Sequence, residues 1–293
     1  MKEKRIKKLN KKLIFFTILL LFFQLFQSKT LFFSIFNQKN NENTENITFL
    51  DGESLKYKIS YGATNKKKGV LLAGYAYFNL KDSITSENLA IHRIHGHGRT
   101  TKVFSLFMKI KHSYTSIVTT HTLNTIESKM EIIEGKYYNK NHTLYSTKKN
   151  QECVIKISEK KNNGEVENLT KTKKKINAND ILGAFYKLRT MDHQKLLKSD
   201  TIFFSYYYNN EVFNSHFINM GEEIVETRFG KIKTIKCAPL LEKGRMFKSK
   251  YGAFVWVTAD NMHIPVKLEI PVLVGSVYVT LARYEKTIFD LKE

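Results

Sequence analysis

Residues 251–284, with the sequence YGAFVWVTADNMHIPVKLEIPVLVGSVYVTLARY, contain three strand-like runs separated by two turns. The first run is rich in β-branched and aromatic residues and ends at Asp260-Asn261, a pair typical of turns. The second run alternates apolar and polar residues from Ile264 to Ile270, which is the pattern of a half-buried strand. Because Pro265 has no N–H to donate, we expect it at a strand start or on a sheet edge. The stretch therefore predicts a three-stranded antiparallel meander on which the rest of the chain packs.

Similar alternation recurs along most of the chain upstream. We expect a hairpin from Leu55 to Leu80 whose turn lies in the lysine-rich stretch 64–69. The later predicted strands are 112–120, 125–134, 137–145, 153–158, 201–208, 211–217, 222–226 and 231–237. Residues 159–179 are polar and basic, which is typical of a loop or a disorder-prone segment.

Two stretches have helical patterns. After Asn179 or Asp180, either of which can cap a helix, four apolar residues fall on one helical face. These four residues are Ile181, Leu182, Phe185 and Leu188. A shorter helix is predicted within 100–110, with Val103, Phe104, Phe107 and Ile110 as its apolar residues.

The fold class follows from the strands that are apolar on both faces. Residues 201–208 and 272–281 carry apolar side chains on each side, so each side must be covered by a sheet, a helix or an apolar ligand. We therefore predict a mainly β protein with a large curved antiparallel sheet, either a half-barrel or a sandwich. One principal α-helix is expected to pack on this sheet.

The amino-terminal region has the features of an export signal. Basic residues 2–12 precede the apolar run 13–23, and a second apolar patch follows at 31–36. Together 13–36 approach the roughly 20 residues that span a bilayer, so an uncleaved anchor is an alternative to a cleaved signal. The expected organisation is a signal peptide or N-terminal membrane anchor at 1–36 and a flexible linker at 37–48. Residues 49–293 are expected to form a single β-rich envelope domain, membrane-associated through the N-terminus.

The chain is strongly basic, with a net charge of +21 from 48 basic and 27 acidic residues. Removing residues 1–36 leaves 40 basic and 26 acidic residues, a net charge of +14. Such a charge suits nucleic acid or an anionic membrane surface. Compositional drift towards Lys, Asn, Ile, Phe and Tyr is the preferred explanation of the charge, because no nucleic-acid motif accompanies it. We expect no nucleic-acid partner.

Two groups of residues are candidates for a metal or redox site. In a strand, His95 and His97 share a face with Arg93 while His92 points away, and no carboxylate lies near them in the sequence. Exposed strand histidines are therefore expected, with no metal. Cys153 and Cys237 are expected to be strand thiols, with a disulfide as the alternative.

The expected function is that of an exported, non-catalytic binding or envelope-maintenance protein. The chain contains none of the motifs that mark serine hydrolases, zinc proteases, redox dithiols or P-loop enzymes, so no catalytic residue and no cofactor are predicted. Asp192, His193 and His216 are polar candidates that no motif places.

A curved sheet with a helix over it offers a lipid-sized cavity for an apolar ligand, and a packed sandwich core is the simpler alternative. The candidate lining residues are Phe185, Tyr186, Phe204, Tyr206 and Trp256. Two other possibilities stay open: a module that docks on an envelope protein through an edge strand, and an uncharacterised envelope hydrolase.

Several segments in order resemble one family. They are Phe49-x-x-Gly52-Glu53-x-Leu55-x-Tyr57-x-x-x-Tyr61-Gly62, then Asp180-Ile181-Leu182 with Tyr186-x-Leu188-Arg189, the turn Phe229-Gly230, and Val255-Trp256-Val257-Thr258-x-Asp260 followed by Ile264-Pro265-Val266. The set resembles the exported bacterial domain-of-unknown-function family thirty-one-oh-eight over about residues 47–290. The resemblance implies a β-rich protein of the Gram-negative envelope and carries no catalytic residues.

Overall fold

A computed structural model describes residues 49–63, 69–145, 153–160, 166–173, 178–208, 211–240, 251–272 and 275–286. For 153–160 and 166–173 it describes the backbone alone. The predicted leader and linker, and the tip of the first hairpin, lie outside the described residues.

The described residues form fifteen strands and three helices. The strands are β1 (Ser54–Gly62), β2 (Leu71–Ile84), β3 (Ala90–Thr100), β4 (Ile110–Thr119), β5 (Thr125–Glu134), β6 (Tyr137–Leu144), β7 (Cys153–Lys160), β8 (Val166–Lys173), β9 (Asn179–Asp180), β10 (Thr201–Tyr208), β11 (Glu211–Thr227), β12 (Gly230–Pro239), β13 (Phe254–Thr258), β14 (Pro265–Pro271) and β15 (Ser276–Glu285). The helices are α1 (Lys102–Ser105), α2 (Ile181–Arg189) and α3 (His193–Lys198).

Thirteen of these strands make one large, curved, unclosed sheet in the order β6-β5-β4-β3-β2-β1-β15-β14-β13-β12-β11-β10-β9. The order consists of two meanders that meet where β1 pairs with β15. All pairings are antiparallel except the short parallel contact of β9 with β10. The predicted fold class, a mainly β protein with a large curved antiparallel sheet, is confirmed.

The carboxy-terminal meander forms as predicted. Pro265 is the first residue of β14, where a missing N–H costs no ladder hydrogen bond. β15 lies between β1 and β14, and its consecutive residues Val277, Tyr278 and Val279 are all buried. A central strand covered on both faces needs apolar residues at successive positions, which explains the loss of alternation there.

Helix α2 begins where the capping residues predicted it. The Asp180 carboxylate accepts a hydrogen bond from the N–H of Gly183, and that N–H would otherwise lack a partner in the first turn. The buried stripe is rotated from the predicted one, because Tyr186 and Arg189 are buried while Phe185 and Leu188 are half-buried. A buried arginine was not expected from periodicity, and its partner is described below.

Helix α1 differs from the predicted helix over 100–110. It has only four residues, and of the predicted apolar stripe Phe104 and Ile110 are buried whereas Val103 and Phe107 are exposed. The N–H groups of both Phe107 and Met108 donate to the Phe104 carbonyl, which ends the helix. Ile110 then begins β4.

Two other strand predictions need correction. Residues 159–179 contain β8, which pairs with β7, so the charged composition concealed a hairpin whose hydrogen bonds come from the backbone. The two strands expected at 211–217 and 222–226 are one strand, β11, with a register shift between Asn219 and Glu222. Gly221 lies in this bulge with φ = +88°, a conformation that glycine adopts without strain.

One core fills the space between the sheet and α2. Gly96 on β3 shows how closely they approach, because a Cβ there would lie 3.2 Å from Phe78 and 3.3 Å from Leu182. Throughout the described ranges, no helix combines the length and the apolar composition needed to cross a membrane.

Candidate functional site

The five predicted lining residues lie in the packed core. Tyr186, Tyr206 and Trp256 are buried, and Phe185 and Phe204 are half-buried against the same cluster. Within α2 the Phe185 ring lies 5.4 Å from the Tyr186 ring, and within β10 the Phe204 ring lies 6.2 Å from the Tyr206 ring. None of the five lines either of the two cavities described below.

A buried ion pair joins the first and second family-like segments. The Arg189 guanidinium donates two hydrogen bonds of 2.8 Å to the two carboxylate oxygens of Glu53. Its Nε donates to the carbonyl of Met262 at 3.1 Å, and the Tyr186 hydroxyl donates to Glu53 at 3.3 Å. Burial, and then the charge of Glu53, raise the pKa of Tyr186 well above its ordinary value. The pair ties the residue before β1 to α2, and both side chains are almost fully buried, so we assign it to stability.

The polar candidates Asp192, His193 and His216 do not form one site. Asp192 caps α3 by accepting from the Lys195 N–H at 2.7 Å. His193 stacks on His263, with Nδ1 of His193 and Nε2 of His263 3.4 Å apart. His216 Nε2 lies 2.8 Å from the Tyr251 hydroxyl.

The three strand histidines adopt the predicted alternation, but they are half-buried and not exposed as predicted. His95 and His97 share a face with ring centroids 5.5 Å apart, while His92 pairs across the hairpin with Asp82 at 2.6 Å. That carboxylate lies ten residues upstream, and only the β2–β3 register brings it opposite His92, so the sequence alone did not reveal it. Among the residues with described positions, no group of three or more His, Cys, Asp or Glu is arranged to hold a metal.

A small cavity of about 40 Å³ lies where the two ends of the sheet approach each other. Residues of β5 and β6 face residues of β10 across it, and the Tyr145 and Tyr207 rings meet edge to face at 6.0 Å. Asp180 faces this cavity and accepts from Ser116 Oγ at 2.6 Å and Thr125 Oγ1 at 2.8 Å. Burial raises the pKa of Asp180, against the effect of these hydrogen bonds. The volume suits a few water molecules at most and not an acyl chain.

A much larger groove of about 510 Å³ opens beside the junction of β1 and β15. A β-bulge shapes it, since the β1–β15 register shifts between Lys56 and Tyr57 and leaves Ala282 outside the pairing. The carbonyl of Ala282 accepts a hydrogen bond of 2.6 Å from Arg228, which lies in the turn between β11 and β12. The bulge thereby fixes the family-like turn Phe229-Gly230 at the groove.

The groove combines positive charge with aromatic surface. Its basic lining residues are Lys56, Lys58, Arg228 and Arg283, and its aromatic ones are Tyr75, Phe229 and Tyr284. The Lys56 ammonium lies 5.0 Å from the Tyr75 ring, and Phe229 meets Tyr284 edge to face at 5.0 Å. No carboxylate is among the described lining residues, although Glu285 forms an ion pair with Arg283 at the rim. The groove is suited to a molecule that has an anionic group and an apolar part.

The groove continues into a basic face on the side of β1–β4 that points away from α2. In the sheet register, Lys56 of β1 lies in one row with Tyr77 of β2 and His97 of β3. Lys58 of β1 lies in the next row with Tyr75 of β2 and Arg99 of β3. The strand segments that contribute to this face are 54–58, 75–81, 93–99 and 111–117, and none of them contains Asp or Glu. The basic residues of the face are Lys56, Lys58, Lys81, Arg93, Arg99 and Lys111. Burial, with the charges of His95 and Arg99, lowers the pKa of His97. The total charge of the chain did not predict that basic residues would be concentrated on this face.

Comparison with known proteins gives a family and a distant structural likeness. The family described as "Protein of unknown function (DUF3108)" matches residues 56–282. No curated protein matches the chain. Among solved structures, a "Beta-barrel-like Protein of Domain of Unknown Function DUF1849 from Brucella abortus" aligns with a TM-score of 0.49 and 9% identity, covering 83% of this chain and 99% of that one.

Proposed function

The chain belongs to the DUF3108 family of proteins of unknown function, and from that premise we propose that it is an exported, non-catalytic binding protein of the bacterial envelope. Its ligand is proposed to be an anionic amphiphile, a lipid-like molecule with a negatively charged head. The groove between β1, β15 and the β11–β12 turn is proposed as the binding site.

The groove carries this proposal because its two kinds of surface match the two parts of such a ligand. Lys56, Lys58 and Arg283 present cationic groups to an anionic head, and Phe229 and Tyr284 present aromatic surface to an apolar chain. Arg228 is already oriented by the Ala282 carbonyl, so less side-chain entropy is lost when a ligand binds beside it. A volume of about 510 Å³ lies within the range of small-molecule sites.

Export and the absence of catalysis are parts of the same proposal. The basic and apolar runs within 1–36 support delivery to the envelope. Two buried carboxylates that could serve a catalytic site have structural partners, since Glu53 pairs with Arg189 and Asp180 caps α2.

Calorimetric titration of the full chain with dodecyl phosphate, below its micellar concentration, tests the proposal. We expect saturable binding that the double variant Lys56→Glu/Lys58→Glu weakens at least tenfold, or about 1.4 kcal/mol. Lys195→Glu is the control, because it reverses the charge of an exposed residue on α3 that does not line the groove. Titration with inorganic phosphate measures the binding of an anionic head alone, and titration with dodecyl maltoside measures the binding of the same alkyl chain with an uncharged head.

Wild-type protein that fails to bind dodecyl phosphate would disprove a groove for anionic amphiphiles. Equal weakening by the groove variant and the Lys195 control would place the effect in the overall charge and not in the groove. Native mass spectrometry of protein purified from cells should show an anionic lipid-like adduct that the groove variant loses.

A further inference from the structure

Five exposed apolar residues cluster at one end of the sheet, and we call them the apolar tip. They are Val70, Leu71, Val103, Leu106 and Phe107, with exposures of 91%, 51%, 64%, 85% and 66%. They come from the start of β2 and from α1 with the turn that follows it. The two segments are joined by a hydrogen bond of 2.9 Å from the Thr101 N–H to the Ala73 carbonyl.

The tip is held in a defined conformation by buried and hydrogen-bonded neighbours. Thr101 caps α1 by accepting from the Phe104 N–H, and the Phe104 side chain is buried in the core. Thr100 Oγ1 lies 2.9 Å from Ser105 Oγ and accepts from the Ile110 N–H at 3.1 Å, which closes the loop at its base. The apolar side chains are therefore presented to solvent by a well-supported turn.

Cations surround the tip. Residues 99–111 contain four basic residues and no Asp or Glu, and the carbonyl of Lys109 accepts from Gly135, which brings the β5–β6 turn with Lys136 alongside. We call Arg99, Lys102, Lys109, Lys111 and Lys136 the basic rim; all five are exposed. In the part of the chain that the structure describes, none of them takes part in an ion pair.

We infer that the apolar tip inserts into the interface of an anionic bilayer while the basic rim contacts its phosphate groups. Exposed apolar side chains ringed by lysine and arginine match the two layers of such a surface, acyl chains below and anionic heads above. A protein partner would have to supply the same dense negative charge around an apolar pocket. The inference goes beyond the proposed function, because ligand binding in the groove does not require the tip.

Tryptophan fluorescence quenched by brominated acyl chains tests the insertion. The chain has a single tryptophan, Trp256, which is buried, so Phe107→Trp adds a reporter at the tip. Phe203→Trp is the matched control, since Phe203 is an equally exposed aromatic residue on β10, at 77%. Both variants keep residues 1–36, so any binding through the leader is the same in each.

Vesicles of brominated phosphatidylcholine with phosphatidylglycerol should quench the tryptophan at 107 and leave the one at 203 bright. With phosphatidylcholine alone the quenching should be much weaker. Lys102→Glu/Lys109→Glu in the reporter variant should lower the partition coefficient at least about thirtyfold, since each basic residue near an anionic surface contributes about one kcal/mol and the two carboxylates are repelled as well. High salt should abolish the difference.

Equal quenching at 107 and 203, or vesicle binding without quenching at 107, would overturn the inference, because the leader would then account for membrane attachment. A concentration-dependent dimer that buries the tip would overturn it in favour of a second copy. Titration of the Lys102/Lys109 variant with dodecyl phosphate keeps the two proposals separate, because groove binding should be unchanged.

Discussion

Replacing Arg189 by methionine is expected to destabilise the protein by about 3–5 kcal/mol, the cost of removing one partner from a buried ion pair. The side chains of Arg189 and Glu53 are 2% and 0% exposed, so the carboxylate left behind cannot be solvated by water. Among the residues whose positions are described, Tyr186 alone would still donate a hydrogen bond to this carboxylate, at 3.3 Å. Small domains are stable by about 5–15 kcal/mol, so a loss of this size should shift the urea midpoint substantially.

The assay is equilibrium unfolding in urea followed by far-ultraviolet circular dichroism. The matched control is Arg283→Met, which breaks an ion pair whose partners are 71% and 48% exposed, and there we expect a loss below about 1 kcal/mol. The double variant Glu53→Leu/Arg189→Met should be more stable than Arg189→Met alone, since it removes the unpaired buried charge. If Arg189→Met and Arg283→Met cost the same, burial does not govern the strength of this pair and the reasoning fails.

Three further outcomes are expected. Gly183→Ala should destabilise the protein by about 1–3 kcal/mol in the same urea assay, because its Cβ would lie 2.5 Å from Thr125 Oγ1 and 2.8 Å from Asp180 Oδ1. Gly98→Ala is the control, because its Cβ would approach only the Tyr75 carbonyl oxygen, at an ordinary contact distance of 3.6 Å. Burial lowers the pKa of His263 below its ordinary 6.5, so the unfolded state binds a proton more readily than the folded state. Stability should therefore fall as the pH drops below about 6.5. An equally steep decline in the His263→Asn variant would argue against this assignment. Burial raises the pKa of Cys237 to about 12, so in a Cys153→Ser variant the remaining thiol should react with a disulfide reagent at pH 8 only after urea is added.

Strand positions were largely predictable because period-two alternation is a local property. The alternation occurs in the hairpin of β1 and β2 and in the carboxy-terminal meander. Pro265 marks the start of β14 because it has no N–H to donate, and Asp180 marks the start of α2 because its carboxylate accepts a hydrogen bond from the first turn. The β8 strand escaped prediction because its charged residues match the composition of a loop.

The features of the candidate sites depend on register between distant strands, and a single sequence does not specify that register. Lys56, Tyr77 and His97 form one row only because β1, β2 and β3 pair as they do. Arg189 breaks the apolar stripe of α2 because Glu53, 136 residues away, makes its burial possible. Helical spacing placed Phe107 on a buried face, whereas the early end of α1 leaves it in solvent.

The pairing of β1 with β15 has a consequence for assembly. Ser54 pairs with Glu285, so the two meanders join only when residues more than two hundred positions apart have met. Until then β1 and β15 each expose an open edge with unpaired N–H and C=O groups, which can template pairing with other chains. A chain delivered from its amino terminus would expose the β1 edge until β15 has emerged, and such non-local pairing is expected to make folding slow.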